Sequence, residues 1–119
     1  MVLVDTSIWI SHLRQGNQHL KELLLDDEVV CHPFIIGELA CGNIKNRKEF
    51  LALLRSLPIA PIITLDELIY FIDQNKLMNT GIGFVDAHLL ASAGLSGTPI
   101  WTDDKALKSE AIRLNLGYI

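Results

Sequence analysis

Four of the 14 acidic residues stand where a carboxylate has no ordinary surface role. Asp5 ends the unbroken apolar run Met1-Val2-Leu3-Val4, and Glu38 interrupts the apolar stretch from Pro33 to Leu39. Asp86 lies in the first turn of a strongly apolar segment carrying Val85, Leu89, Leu90 and Ala93, and Asp104 follows the run Thr98 to Thr102, beside Asp103. Each has a structural explanation when taken alone. Asp5, Asp103 and Asp104 suit helix caps, Asp86 suits a helix N-terminus by ~0.3–1 kcal/mol, and Glu38 can reach solvent from a helix edge. Gathered together they need another explanation. Two carboxylates ~4 Å apart repel by ~4 kcal/mol at an effective dielectric near 20, so four ionised ones assemble only around a cation. An all-oxygen set without Cys or His suits Mg²⁺ or Mn²⁺ rather than zinc. Glu22, Asp26, Asp27, Glu49, Glu67, Asp73 and Glu110 read as surface.

The elements that must bring these acids together follow from the apolar pattern. Met1 to Val4 reads as a strand covered on both faces. Thr6 and Ser7 are good N-cap residues, and Ile8, Trp9 and Leu13 then share the inward face of a helix. Arg14 to Asn17 is a loop, and Leu20, Leu23 and Leu24 fall at helical spacing up to Asp26-Asp27. Glu28 to His32 is a second short strand, and Pro33 opens a helix that runs to Gly42. Phe50, Leu53, Leu54 and Leu57 form an i, i+3, i+4, i+7 stripe closed by Pro58. Ile59 to Thr64 is a third strand, at the sheet edge or shortened because of Pro61. Leu65, Leu68, Ile69 and Ile72 mark another helix, and Val85 to Ala93 the next. Thr98 to Thr102 is the fourth strand, Asp103 to Asn115 the last helix with Leu107, Ala111 and Leu114 inward, and Gly117 to Ile119 a candidate final strand.

Strands alternate with helices throughout. The reading is one α/β domain over residues 1–119, with a mostly parallel sheet of four or five strands and helices on both faces. In such a sheet the first and fourth strands neighbour one another across the topological switch, which joins Asp5 to Asp104 in the crevice where ligands bind.

Composition narrows the class. The chain has 119 residues, enough for one core and too few for two. Half the residues are hydrophobic, the mean hydropathy is +0.31, and no run approaches the ~18 apolar residues of a membrane helix. No signal peptide is visible, so a cytoplasmic protein is expected, with Cys31 and Cys41 as reduced, buried small residues. The hydrophobic surplus, concentrated from Pro33 to Leu57, predicts a homodimer and an apolar groove for a partner segment. A net charge of −4 excludes a nucleic-acid coat. Any affinity for a phosphate chain must come from local cations, for which Arg14 and the cluster Lys45, Arg47 and Lys48 are the candidates.

Asp5-Thr6-Ser7, then Glu38 within a helix, then Gly83-Phe84-Val85-Asp86-Ala87-His88-Leu89-Leu90-Ala91, then Trp101-Thr102-Asp103-Asp104-Lys105 resembles the PIN-domain ribonucleases. The similarity is greatest to the VapC toxins of bacterial toxin–antitoxin modules and spans almost the whole chain. It implies that Asp5, Glu38, Asp86 and Asp104 match an acidic quartet that binds Mg²⁺ or Mn²⁺ and hydrolyses RNA phosphodiesters. It also implies that Thr6 and Thr102 match hydroxyl positions beside the metal, with Asp103 a variable neighbour. A VapB-like antitoxin partner and dimerisation are implied in the same way.

Other readings fit less well. A receiver-type phosphoacceptor domain wants a second acid beside Asp5, where Thr6 stands, and a haloacid-dehalogenase-type phosphatase wants one at Ser7. A catalytically idle PIN fold that only binds protein remains as an alternative, against which the intact quartet argues. Gly81-x-Gly83 lacks the third glycine of a dinucleotide fingerprint. His12, His19, His32 and His88 share no metal-ligand spacing, His88 is expected to face away from the acids, and Trp9 and Trp101 are expected in the core.

Overall fold

A computed structural model describes residues 1–118. The element order is β1 (Val2–Val4), α1 (Thr6–Gln15), α2 (Gln18–Leu25), β2 (Val29–Val30), α3 (Pro33–Ala40), α4 (Arg47–Ser56), α5 (Leu65–Gln74), α6 (Phe84–Ser96), β3 (Ile100–Trp101) and α7 (Lys105–Arg113). The sheet is parallel with order β2-β1-β3. The chain leaves β1 toward one edge and returns past it to the other, so right-handed crossovers set the intervening helices on opposite faces.

The sheet has three strands among the described residues, not four or five. The expected strand at Ile59 to Thr64 contracts to one parallel bridge, Cys31 with Ile59. Its hydrogen bonds are Cys31 N–H to the Pro58 carbonyl at 2.8 Å and Ala60 N–H to the Cys31 carbonyl at 2.8 Å. Pro61, which has no N–H to donate, follows at once and the ladder ends. The expected last strand likewise reduces to a bridge between Ile100 and Gly117, and Ile119 lies outside the described residues.

β1 is buried along its length, Val2, Leu3 and Val4 being at most 1% exposed. That burial explains why its sequence is continuously apolar rather than alternating. Trp9 is fully buried and meets Phe50 edge-to-face at 5.8 Å. Leu89, Leu90 and Ala93 of α6 and Leu107 and Ala111 of α7 complete the core with Ile35 and Leu39 of α3. Four expectations about burial change. Leu13 is exposed, as is Cys41, which sits at the C-cap of α3. Glu110 is buried rather than superficial, because Arg113 pairs with its carboxylate at 2.7 Å. Trp101 is only half-buried, at the sheet's β3 edge.

Local chemistry sets the helix ends. Asn17 accepts from Leu20 N–H to start α2, and Thr64 and Glu67 form a reciprocal capping box on α5. Gly97 ends α6 with φ +64°, a left-handed conformation that glycine adopts without a Cβ penalty.

Candidate active site

The site lies where β1 and β3 end side by side. Leu3 pairs with Ile100 and Val4 with Trp101, so the next residues, Asp5 and Thr102, emerge together at the carboxyl edge of the sheet. Asp5 N–H donates to the Trp101 carbonyl at 2.9 Å, fixing that edge through backbone alone.

Asp5 stands at the N-cap position of α1, yet its side chain makes no capping hydrogen bond. Its Oδ2 instead accepts from Thr102 Oγ1 at 2.7 Å and from Ser7 Oγ at 2.9 Å. Each hydroxyl has one hydrogen, so both are spent on Asp5, and the 3.3 Å contact between the two hydroxyl oxygens carries none. Their lone pairs are used as well: Asp103 N–H donates to Ser7 Oγ and Asp104 N–H to Thr102 Oγ1, both at 3.0 Å. Two relays from backbone N–H through hydroxyl to carboxylate thus hold a side chain that is 6% exposed. Asp5 Oδ1 makes no hydrogen bond among the described residues and is free for another ligand.

Glu38 is carried by α3 and reaches the start of α1, where its Oε1 accepts from Thr6 Oγ1 at 2.8 Å. Asp104 caps α7 by accepting from Leu107 N–H through Oδ1 at 2.9 Å, which leaves Oδ2 unspent. Asp86 sits in the first turn of α6. Burial is the largest influence raising its pKa, followed by the charges of Asp5, Asp104 and Glu38. One carboxyl therefore feels the other three, and the quartet read from sequence converges on this edge. The convergence is open: among the described residues no three acids, histidines or cysteines stand close enough to hold a metal ion as their side chains are placed.

Asp103 diverges from Asp104. Its backbone serves Ser7, but its side chain is exposed and lines a neighbouring hollow with His19, Trp101 and Tyr118. The basic candidates also separate. Arg14 and Lys45 border a cavity of about 360 Å³ that includes Glu38 and the apolar side chains Ile10, Leu13, Leu39 and Ile44. Arg47 and Lys48 lie instead along a different hollow with Leu51 and Arg55. Arg47 is already engaged, donating through Nε and Nη2 to the Ala40 carbonyl at 3.1 and 2.8 Å, where it closes the end of α3.

Two residues gain roles that sequence reading did not give them. Ser7 is a ligand of Asp5, not merely a helix-start residue; its signal is a hydroxyl two positions after a strand-ending acid. His32 is fully buried at the N-cap of α3. Its Nδ1 accepts from Phe34 N–H at 2.9 Å, which fixes the hydrogen on Nε2. That hydrogen is donated to Ser92 Oγ at 3.1 Å, and Ser92 donates onward to the Pro61 carbonyl at 2.6 Å. The relay ties α3, which carries Glu38, to α6, which carries Asp86. Burial, with a smaller contribution from His88, pushes the His32 pKa down to about 4. His88 is buried against Phe34 and Phe84, at 4.7 and 4.6 Å between ring centres, consistent with a side chain turned away from the acids.

Residues 2–111 match the family model described as PIN domain. Ribonuclease VapC32 of Mycobacterium tuberculosis, in strains CDC 1551 / Oshkosh and ATCC 25618 / H37Rv, is 49% identical over 110 residues, covering 92% of this chain and 89% of the relative. The crystal structure of PAE2754 from Pyrobaculum aerophilum aligns with a TM-score of 0.66 at 18% identity, over 96% of this chain and 94% of that one, a likeness of fold. The chain belongs to the PIN-domain family, among its VapC members.

Proposed function

We propose that this chain is a divalent-metal-dependent endoribonuclease, the toxin of a toxin–antitoxin pair, in which Asp5, Glu38, Asp86 and Asp104 hold the metal that would meet the scissile phosphate. The observation that carries the reading is geometric: Thr102 Oγ1 donates to the Asp5 carboxylate and accepts from Asp104 N–H, and Thr6, next to Asp5, donates to Glu38. Three acids thus gather at the end of β1, near enough for their charges to act on the half-buried Asp86. A VapC ribonuclease at 49% identity points to the same activity.

The donor set fits a hard divalent cation. It consists of carboxylate oxygens with no thiolate or imidazole, and the choice of Mg²⁺ or Mn²⁺ follows from that chemistry. Asp5 offers Oδ1 while Thr102 and Ser7 restrain Oδ2, and Asp104 offers Oδ2 while Leu107 N–H restrains Oδ1. When bound, the metal would supply an activated water and neutralise charge growing on the phosphate. The chain's own part is placement: hydroxyls and backbone N–H groups orient the carboxylates before substrate arrives. A divalent cation also halves the formal charge of −4, easing approach of a polyanion.

Arg14 and Lys45 line the cavity that includes Glu38, which supports their assignment as the cations that meet the RNA backbone. The apolar lining of that cavity suits a segment of a VapB-like antitoxin. A cationic antitoxin side chain reaching Glu38 from there would compete with metal and with RNA for one entrance. The reading includes a cytoplasmic homodimer. The apolar side chains left exposed lie chiefly at Ile62, Leu65, Ile69, Tyr70, Phe84 and Leu95, about α5 and α6 rather than from Pro33 to Leu57. No helix among the described residues is long and apolar enough to cross a membrane.

Incubation of the purified protein with total RNA, with Mg²⁺ or Mn²⁺ and with chelator, tests the activity, and sequencing the new ends identifies the site. Discrete metal-dependent cuts are expected. Intact RNA in both arms would favour an idle, protein-binding PIN fold.

A further inference from the structure

Beside the acids lies a second hollow, of about 410 Å³, whose walls include His19, Trp101, Thr102, Asp103, Lys108 and Tyr118. The size falls in the range of small-ligand sites, ~300–1,000 Å³. Three aromatic rings from three separate parts of the chain meet along it. The His19 ring stacks on Tyr118, 5.8 Å between centres and 19° between planes, and its Nε2 lies 2.6 Å from the Tyr118 hydroxyl. Trp101 stands edge-on to His19 at 5.3 Å and tilted against Tyr118 at 5.7 Å. This is not core packing of the kind that buries Trp9 completely, because His19 is exposed and Trp101 and Tyr118 are half-buried.

The polar groups around the rings have both signs. Lys108 and Asp103 are exposed, and neither takes part in an ion pair among the described residues. The hollow also borders the acidic site across Thr102. Thr102 forms part of its wall while donating to Asp5 at 2.7 Å, so whatever occupies it sits one side chain from the proposed metal-holding edge.

We propose that this hollow seats one RNA base adjacent to the cleaved phosphodiester, with Trp101, Tyr118 and His19 as the stacking wall and Lys108 meeting that nucleotide's phosphate. The proposal rests on the ribonuclease reading and deepens it into a source of cleavage-site preference. A flat π-face suits aromatic side chains, and single-stranded RNA offers unstacked bases for such recognition. Asp103 supplies an acceptor for an exocyclic amino group, which favours adenine, guanine or cytosine over uracil. An apolar peptide would leave Lys108 and Asp103 unanswered, and would have no reason to lie against Thr102.

The first test needs no cleavage. Nucleoside 5′-monophosphates titrated into the metal-free protein should quench tryptophan fluorescence saturably, through Trp101, since Trp9 is sealed in the core. Lys108→Gln alters an exposed position and should keep the wild-type melting temperature, whereas His19→Ala gives up the bond to Tyr118 and should melt a few degrees lower while staying folded. Each should weaken that binding by about tenfold, the scale of one base stack or phosphate contact. The second test uses RNA with an abasic site on either side of the cut. In the wild type one such substitution should raise KM about tenfold, with a smaller fall in kcat. In Trp101→Leu or His19→Ala the same substitution should add little, because the contact is already lost. Trp101→Phe should restore most of the preference. Absence of saturable quenching by all four nucleotides, or an undiminished abasic effect in His19→Ala, overturns the base seat. No metal-dependent cleavage by the wild type would overturn the ribonuclease reading instead, and the fluorescence titration would still decide whether the hollow binds a nucleotide.

Discussion

Thr102 and Asp5, 97 positions apart in sequence, share a 2.7 Å hydrogen bond at the point where β3 and β1 end together. Thr102 is 4% exposed and Asp5 6%, so water has little access to replace either partner. The same Thr102 oxygen accepts from Asp104 N–H, so one hydroxyl spaces two of the four acids.

Thr102→Val keeps the shape and removes both contacts. A hydrogen bond to a charged group contributes about 1.5–3 kcal/mol, and the part-buried Asp104 N–H also loses its acceptor. The variant should lose about 2 kcal/mol of stability in urea, and metal affinity should fall ~10–100-fold, as when an outer partner of a metal ligand is removed. Calorimetric titration with Mn²⁺ checks the second figure; unchanged affinity would mean that the hydroxyl does not orient Asp5.

Asp86 gives a pH signature. Burial first, and then the charges of Asp5, Asp104 and Glu38, raise its pKa in the folded chain. Above the ordinary aspartate range the folded state therefore holds a proton that the unfolded state has released. This contribution to metal-free stability falls as pH rises through the folded pKa. Asp86→Asn should flatten that fall and raise metal-free stability near neutral pH. Lower stability in urea melts at pH 7 would assign the residue to the helix N-terminus instead.

His32 slopes the other way. Its pKa falls from 6.5 to about 4, so the unfolded chain takes up a proton between those values that the folded chain refuses. The stability it contributes is complete above about 6.5 and is lost as pH falls toward about 4. His32→Asn retains a helix-capping acceptor but severs the link to Ser92. It should cost about 1–2 kcal/mol at pH 7 and reduce the acid-side slope, as read from denaturation midpoints at pH 5 and pH 7.5.

The adjacent acids Asp103 and Asp104 should rank unequally. Asp104 is among the charges acting on Asp86, whereas the Asp103 side chain lies along the aromatic hollow. Asp104→Asn should abolish most cleavage, while Asp103→Asn should retain most of it and change the cut-site preference. The opposite order in initial rates would exchange their roles.

The acids were legible in the sequence because each breaks an apolar pattern at the end or start of an element, and the pairing of β1 with β3 made one edge of their positions. The sheet was overcounted because apolar runs such as Ile59 to Thr64 look like strands until the missing N–H of Pro61 is set against the ladder. The functions of Ser7 and His32 were not legible. A Ser after a strand and a His before a Pro are both ordinary local choices. What distinguishes them is a partner far away in sequence, Asp103 for Ser7 and Ser92 for His32. Arg47 shows the same limit in reverse, since its charge suggested RNA and its guanidinium is bound to the Ala40 carbonyl.

The central claim, that carboxylates at the end of β1 hold the metal that cuts RNA, is tested most directly by the Mn²⁺ dependence of cleavage in Asp5→Asn. The substitution keeps side-chain size and the possibility of accepting from Thr102 and Ser7, and it removes one anionic ligand. Initial rates on a labelled RNA at subsaturating Mn²⁺ should fall by ~100-fold or more, the upper end of what losing an outer partner alone would cause, with the urea midpoint retained or raised. Wild-type rates from a folded Asp5→Asn at the same Mn²⁺ concentration would contradict the account.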